Sequence, residues 1–87
     1  MRITLLTQRD CAFCDQAKAI LTRLAAEYPL AVTTVDIASP QGQALATSGG
    51  VLFPPGILLD GQPFSYGRLS ERRLRRELER RLGTERR

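Results

Sequence analysis

The two cysteines of this 87-residue chain, Cys11 and Cys14, lie three positions apart in the segment RDCAFCDQAK. Two thiols at this spacing suit a structural disulfide, half of a metal site, or a dithiol that alternates between reduced and oxidised forms. A disulfide across so short a loop constrains the unfolded chain little, which disfavours a purely structural role. Two thiolates also suit a soft ion such as Cu(I), so a metal carrier is the main alternative to redox chemistry. A closed zinc site is disfavoured because the chain has no histidine to complete four ligands.

The elements on either side of the pair give the two thiols different environments. Arg2–Thr7 is a short β-prone run, and after a polar turn the apolar residues recur at helical spacing. This pattern predicts an amphipathic helix from about Cys11 to Tyr28, which Pro29 ends. Cys11 would then lie beside the free amides and the positive dipole end of the helix, which favour a thiolate, whereas Cys14 lies one turn inside. We therefore predict Cys11 as the nucleophile and Cys14 as the resolving thiol.

Three residues beside the cysteines are candidates for shaping the site. Arg9 would stabilise a Cys11 thiolate, and the neighbouring Asp10 would oppose it while offering a cap to the helix. The sequence ranks neither charge above the other, and a solvated loop position is the alternative for Arg9. Phe13 has helical spacing with Ala17, which predicts that it packs in the core. The alternative is an exposed aromatic ring beside the nucleophile.

A second strand and a short second helix follow. The segment 30–37 is rich in β-branched residues and predicts a mostly buried strand. Ser39 offers an N-cap, and Pro40 suits the first position of a helix. Gly49 and Gly50 then predict the end of that helix.

The last third of the chain predicts a hairpin and a final helix. Asp60-Gly61 is a turn signal between the strands 57–59 and 62–66, and Pro63 marks the second of these as an edge strand. The final helix is predicted from Ser70, and the apolar residues that recur along it are Leu74, Leu78 and Leu82. The order β-α-β-α-β-β-α predicts one α/β domain, residues 1–87, with a four-stranded mixed sheet flanked by helices.

The segment LFPPGILLDG holds a second group of residues with special chemistry. Pro54 and Pro55 lie directly before a predicted strand, yet neither has an N–H for a strand ladder. A rigid turn is one explanation. The other is a cis X-Pro bond that turns the chain abruptly and brings it beside the dithiol.

Together these segments make the chain resemble a small member of the glutaredoxin family, within the thioredoxin fold. The family's first strand, CxxC loop and first helix correspond to ITLLTQRDCAFCDQAKAIL, and its second strand corresponds to VTTVDI. Its cis-proline loop and third strand correspond to FPPGILLDG, and the turn into its final helix corresponds to YGRLSERRLRREL. The resemblance implies that Cys11 is the nucleophile, Cys14 the resolving thiol and Pro55 the cis-proline.

Three features depart from the family's pattern. The family usually has Cys-Pro-Tyr-Cys, whereas Ala12 and Phe13 stand between the cysteines here, so a stiffening proline is missing. Pro54 has no N–H, so one of the two main-chain hydrogen bonds expected between this position and a substrate backbone is lost. The family's glycine pair and following acidic residue, which help to hold glutathione, correspond here to Gly67, Arg68 and Ser70.

The resemblance implies thiol–disulfide exchange, in which Cys11 attacks a disulfide and Cys14 resolves the mixed disulfide. The residues expected to line the substrate site are Pro54, Pro55, Phe13 and Arg9. No metal or organic cofactor is expected, because the redox-active disulfide is the reacting group and an external thiol or reductase supplies electrons. The expected partner is a disulfide-containing protein or a low-molecular-weight thiol. No residue pattern indicates an oligomer.

Positive charge is confined to the C-terminal segment. Residues 1–67 carry a net charge of −1, and residues 68–87 carry +5, with nine arginines and four glutamates. The spacing of Glu71 with Arg75 and of Glu77 with Arg81 predicts ion pairs on a solvated helix face. The alternative is a docking module that binds an acidic partner or nucleic acid through this helix. Nucleic acid is disfavoured because the segment has no aromatic residue for base stacking.

The N-terminal residues predict the compartment. They include no long apolar stretch followed by a signal cleavage site, and no run in the chain has the length that spans a bilayer. We therefore expect a cytoplasmic protein. Structural thiols are kept reduced there, which favours a catalytic or metal-binding CxxC.

Overall fold

A computed structural model describes residues 1–83 of the chain; residues 84–87, which the predicted domain included, lie outside the described part. The elements within it are β1 (Arg2–Thr7), α1 (Ala12–Ala25), β2 (Ala31–Asp36), α2 (Pro40–Gly49), β3 (Gly56–Leu59), β4 (Gln62–Tyr66) and α3 (Glu71–Leu82). The predicted order β-α-β-α-β-β-α is confirmed. None of the helices formed by residues 1–83 is both long and apolar enough to cross a membrane.

The strands of this part form a four-stranded mixed sheet in the order β2-β1-β3-β4. β1 runs parallel to β2, to which α1 connects it, and antiparallel to β3. β3 and β4 form the predicted hairpin, and its turn residues Asp60 and Gly61 both have positive φ, 48° and 83°. Positive φ at both central positions is the geometry of a type I′ turn, which Asp-Gly favours. β4 is an edge strand, as the proline at position 63 predicted.

The sheet separates two groups of buried apolar side chains, because side chains alternate between its faces along each strand. One face packs against α1 and α3, and its buried residues are Ile3, Leu5, Ala17, Ile20, Leu21, Leu24, Tyr28, Ile57, Leu59, Leu69, Leu74 and Leu78. On the other face, Leu6, Val35 and Val51 pack with Leu45 and Ala46 of α2. The larger core therefore holds α1, and with it the start of the CxxC segment, against the sheet.

Two elements differ from the sequence prediction in extent or burial. α1 ends at Ala25 and not at Tyr28, because Pro29 disfavours a helical conformation of the residue before it and the chain leaves the helix in a turn. The prediction that the second strand is mostly buried is wrong: Val35 is the buried residue of Ala31–Asp36. The reason is that β2 lies at the edge of the sheet.

Ion pairs join α3 to α1 and to the turn that follows α1. The Arg23 guanidinium lies 2.6 Å from the Glu71 carboxylate, and Arg75 lies 2.6 Å from Glu27. The hydrogen bond from Arg23 holds the pKa of Glu71 below its usual value. The pairs predicted within α3 are also formed, between Glu71 and Arg75 at 3.4 Å and between Glu77 and Arg81 at 2.6 Å.

Candidate active site

The sheet topology brings three loops to one end of the molecule. β1 ends at Thr7 and leads directly to the cysteines. The antiparallel strand β3 starts at Gly56, which pairs with Leu6 near the end of β1. Tyr66, at the end of β4, also pairs with Gly56. These three strands therefore bring the segments 8–11, 52–55 and 67–70 to this end, where β2 also ends, because its Asp36 pairs with Thr7.

Cys11 and Cys14 are joined by a disulfide, with their Cα atoms 5.2 Å apart. Cys11 is partly exposed, whereas Cys14 is only 1% exposed, so Cys14 is the less accessible thiol. Cys11 has an extended backbone (φ −122°, ψ 104°), and its Sγ accepts a hydrogen bond of 3.1 Å from the Cys14 N–H. In the reduced protein this amide and the positive end of the helix favour a thiolate at Cys11.

Asp10 does not cap α1, contrary to the sequence prediction. Its φ of 54° lies in the left-handed region, whereas an N-cap residue has an extended backbone. Cys11 is the N-cap, and the helix starts at Ala12. The atom that caps the helix is therefore the sulfur of the candidate nucleophile.

The proline loop lies at the same end of the sheet. The peptide bond between Pro54 and Pro55 is cis. Pro55 is buried, and its C=O accepts a hydrogen bond of 2.8 Å from the Gly67 N–H. Pro54 is partly exposed and has no N–H, so its C=O is the main-chain group that it offers to a ligand.

Phe13 and Arg9 are both on the surface. The prediction that Phe13 packs in the core is wrong, because its side chain is 46% exposed. Helical spacing identifies a face of α1, but it does not say how far along that face the core extends. Arg9 is exposed and lines a shallow cleft of mixed charge with Asp10 and Asp36. No carboxylate among residues 1–83 forms an ion pair with Arg9.

Three exposed apolar side chains at this end, which the sequence reasoning missed, form what we call the apolar platform: Leu52, Phe53 and Tyr66. They are 76%, 54% and 41% exposed, respectively. The rings of Phe53 and Tyr66 meet edge to face, with their centroids 5.1 Å apart. The sequence did carry a signal, since Leu52 and Phe53 lie outside every predicted helix and strand and directly precede two prolines. Large apolar residues clustered on a surface often mark an interaction site.

Gly67 supports the platform. It has φ of 78°, which favours glycine, and a Cβ at this position would lie 2.9 Å from Cε1 of Phe53. The Phe53 ring therefore lies directly against the backbone of residue 67. A glycine is needed here for both the backbone conformation and the close approach of the ring.

Comparisons with known proteins identify the family. The sequence model of the glutaredoxin-like domain (DUF836) matches residues 2–79. Uncharacterized proteins of Mycobacterium bovis and Mycobacterium tuberculosis are each 33% identical over 82 residues, which cover 91% of this chain and 84% of the relative. Among solved structures, a mutant thioredoxin from Halobacterium salinarum is 24% identical with a TM-score of 0.70, and the match covers 91% of this chain and 72% of that one. This structural likeness confirms the thioredoxin-like fold.

Proposed function

This chain belongs to the glutaredoxin-like domain family, and we propose that it is a thiol–disulfide oxidoreductase that works through Cys11 and Cys14. One observation carries the proposal: a partly exposed cysteine caps a helix and is bonded to a buried cysteine one turn inside that helix. The fold and the CxxC pair support a redox role in general. The unequal exposure of the two sulfurs supports the assignment of separate roles.

Cys11 is the attacking thiol in this proposal. A disulfide of a partner can approach the partly exposed Cys11, whereas Cys14 is covered by the protein. The Cys14 amide and the helix dipole stabilise negative charge on the Cys11 sulfur, and the thiolate is the reactive form. Both the accessibility of its sulfur and the stabilisation of its negative charge therefore favour Cys11 as the attacking thiol.

The reaction transfers two electrons and proceeds by two displacements at sulfur. The Cys11 thiolate attacks one sulfur of the partner's disulfide, forms a mixed disulfide and releases the other partner sulfur as a thiolate. The Cys14 thiolate then attacks the Cys11 sulfur and releases the first partner sulfur. The partner is now a dithiol after taking up two protons, and this chain carries the Cys11–Cys14 disulfide.

An external donor must restore the dithiol. We assign this role to a low-molecular-weight thiol or a reductase, and the substrate to a disulfide-containing protein or a low-molecular-weight disulfide. We place the reaction in the cytoplasm, where glutathione and thioredoxin systems supply such reducing power. No organic cofactor or metal takes part in the proposed reaction.

A redox titration tests the proposal. The purified protein is equilibrated with graded dithiol/disulfide buffers, and its free thiols are counted at each ratio, with Cys11→Ser as the control. We expect a two-electron transition between about −300 and −200 mV, which the control lacks. A pair that stays reduced across the whole range and binds Cu(I) tightly would replace the oxidoreductase with a soft-metal carrier.

A further inference from the structure

The apolar platform continues into a cleft along the outer edge of β4. Tyr66 belongs to both, because it packs against Phe53 and also lines a cleft of about 350 Å³. This cleft runs along β4 past Ser65 and reaches Arg73 of α3. Among the described residues β4 pairs with β3 alone, so no strand lies on its other side. An extended chain placed here would run from the disulfide end of the sheet to α3.

Two polar side chains of the cleft, Ser65 and Arg73, lack a hydrogen bond or an ion pair within residues 1–83. The Ser65 hydroxyl is buried and has no hydrogen-bond partner among residues 1–83. The Arg73 guanidinium lies 5.4 Å from the centre of the Phe64 ring, and no carboxylate of residues 1–83 forms an ion pair with it. No acidic residue among residues 1–83 lines the cleft. The cleft therefore offers the exposed cation of Arg73 to a ligand, and a carboxylate is the group that complements it.

The proline loop favours side-chain contacts over main-chain contacts. Pro54 offers a C=O but no N–H, so a bound backbone gains one hydrogen bond fewer at this position than it would beside another residue. Affinity must then come from other groups, and the nearest large surface is the apolar platform. Glutathione is small and highly charged, so it has little apolar area with which to cover three such side chains. A polypeptide with apolar side chains next to its cysteine has enough apolar area to cover them.

We propose that the platform and the cleft bind an extended segment of a partner polypeptide, in which apolar residues flank the reacting cysteine and a carboxylate side chain follows. The apolar residues cover Leu52 and Phe53, and the carboxylate pairs with Arg73. This inference rests on the proposed function, because thiol exchange at Cys11 requires the partner's cysteine at that end of the sheet. It adds the class of substrate and the residues that select it.

Three synthetic peptides serve as probes, each with one cysteine activated as a 2-thiopyridyl disulfide. The first has Leu and Phe beside the cysteine and Glu four residues later. The second replaces that Glu with Lys, and the third replaces the apolar neighbours with Ser and Gly. The Cys11 thiolate of the reduced protein attacks the peptide sulfur and releases 2-thiopyridone, whose absorbance gives the rate. Cys14 then releases the peptide thiol and leaves the Cys11–Cys14 disulfide.

The first peptide is expected to react about tenfold faster than the third, because its apolar side chains are partly removed from water on binding. It is expected to react about threefold faster than the second, which is the size of an exposed ion pair. The double substitution Leu52→Ser with Phe53→Ser should abolish the tenfold preference, and Arg73→Gln should abolish the threefold one. The matched control is Val32→Ser, an apolar residue 40% exposed on the opposite edge strand, which should change neither preference.

The outcomes separate this inference from the proposed function. Equal rates for the three peptides, all faster than with Cys11→Ser, would overturn the selectivity and leave the oxidoreductase intact. Rates no faster than with Cys11→Ser would overturn the proposed function itself. If circular dichroism shows that the double variant is unfolded, the single substitution Leu52→Ser decides, because that side chain is mostly in solvent and is expected to lower the preference at least about twofold. An unchanged preference in that variant contradicts the inference.

Discussion

The interface between α1 and α3 and the disulfide end of the sheet use the same kinds of residue in opposite ways. In the interface, leucines such as Leu24 and Leu78 are buried, and the charges of Arg23 and Arg75 are paired with glutamates. At the disulfide end, Leu52 is mostly in solvent, and Arg9 has no ion pair among residues 1–83. The interface thus stabilises the fold, while the disulfide end leaves apolar and charged side chains exposed. The following substitutions test that division.

The largest effect on function is expected from Cys11→Ser. This substitution removes the attacking sulfur, so turnover with a disulfide substrate should fall to the uncatalysed rate. Stability of the reduced protein should change little, because a serine hydroxyl also serves as an N-cap. The rate of disulfide reduction and the thermal midpoint Tm of the reduced protein are the two measurements. A variant that keeps its turnover would place the chemistry elsewhere.

The largest effect on stability is expected from Leu78→Ala. The side chain is fully buried between α3 and the sheet, so its truncation should lower the free energy of unfolding by about 2–5 kcal/mol. The matched substitution Leu52→Ala, at an exposed position, should cost less than about 0.5 kcal/mol. Urea unfolding of both variants gives the comparison. Equal losses would mean that the platform is part of the core and is not a free surface.

Gly67→Ala should have an intermediate effect on the free energy of unfolding. Its Cβ would meet the Phe53 ring at 2.9 Å in a left-handed backbone conformation, so we expect a loss of about 2 kcal/mol and displacement of the ring. Gly61→Ala is the control, since its φ is also positive but no heavy atom lies within 4 Å of an added Cβ. The control should lose only about 1 kcal/mol. If urea unfolding shows that the two variants lose the same free energy of unfolding, the contact between the Phe53 ring and residue 67 does not limit the side chain at that position.

Part of the fold and of the candidate site could be predicted from local sequence. The rest depends on which elements pack over one another in the folded protein. Ser39 and the Asp60-Gly61 turn were predictable, because caps and tight turns are decided by a few neighbouring residues. The exposure of Phe13 and of β2 was not, because periodicity shows which residues share a face but not whether another element covers that face. The position of Cys14 one turn inside a helix was also predictable, because the helical spacing starts at the cysteines. The platform joins residues 52 and 53 to residue 66, and only the folded sheet brings them together.

The smallest effect is expected from Glu77→Gln on α3. Hydrogen bonds from Arg80 and Arg81 lower the pKa of Glu77 from 4.5 to about 2 in the folded protein. A lowered folded-state pKa contributes stability above the unfolded value, near 4.5, and that contribution is lost as the pH falls towards 2. The variant should therefore show a Tm lower by at most about 2 °C at pH 7. Its Tm should also fall less than that of the wild type between pH 5 and pH 2.

The matched control for that pH series is Arg72→Gln, which lies on the same helix and has no ion pair among residues 1–83. Its Tm should fall with acid as steeply as that of the wild type. A Glu77→Gln variant with the same steep fall would mean that the carboxylate is not held by the two arginines in solution.

The unequal roles of the two cysteines are tested most directly by trapping the mixed disulfide. Reduced Cys14→Ser and Cys11→Ser proteins are each treated with glutathione disulfide at pH 7, and intact mass is followed with time. We expect Cys14→Ser to gain one glutathione and to keep it, because Cys11 attacks and no thiol resolves the product. Cys11→Ser should stay unmodified while folded, because Cys14 is buried. Equal modification of both variants, or faster modification of Cys11→Ser, would contradict the assignment of Cys11 as the nucleophile.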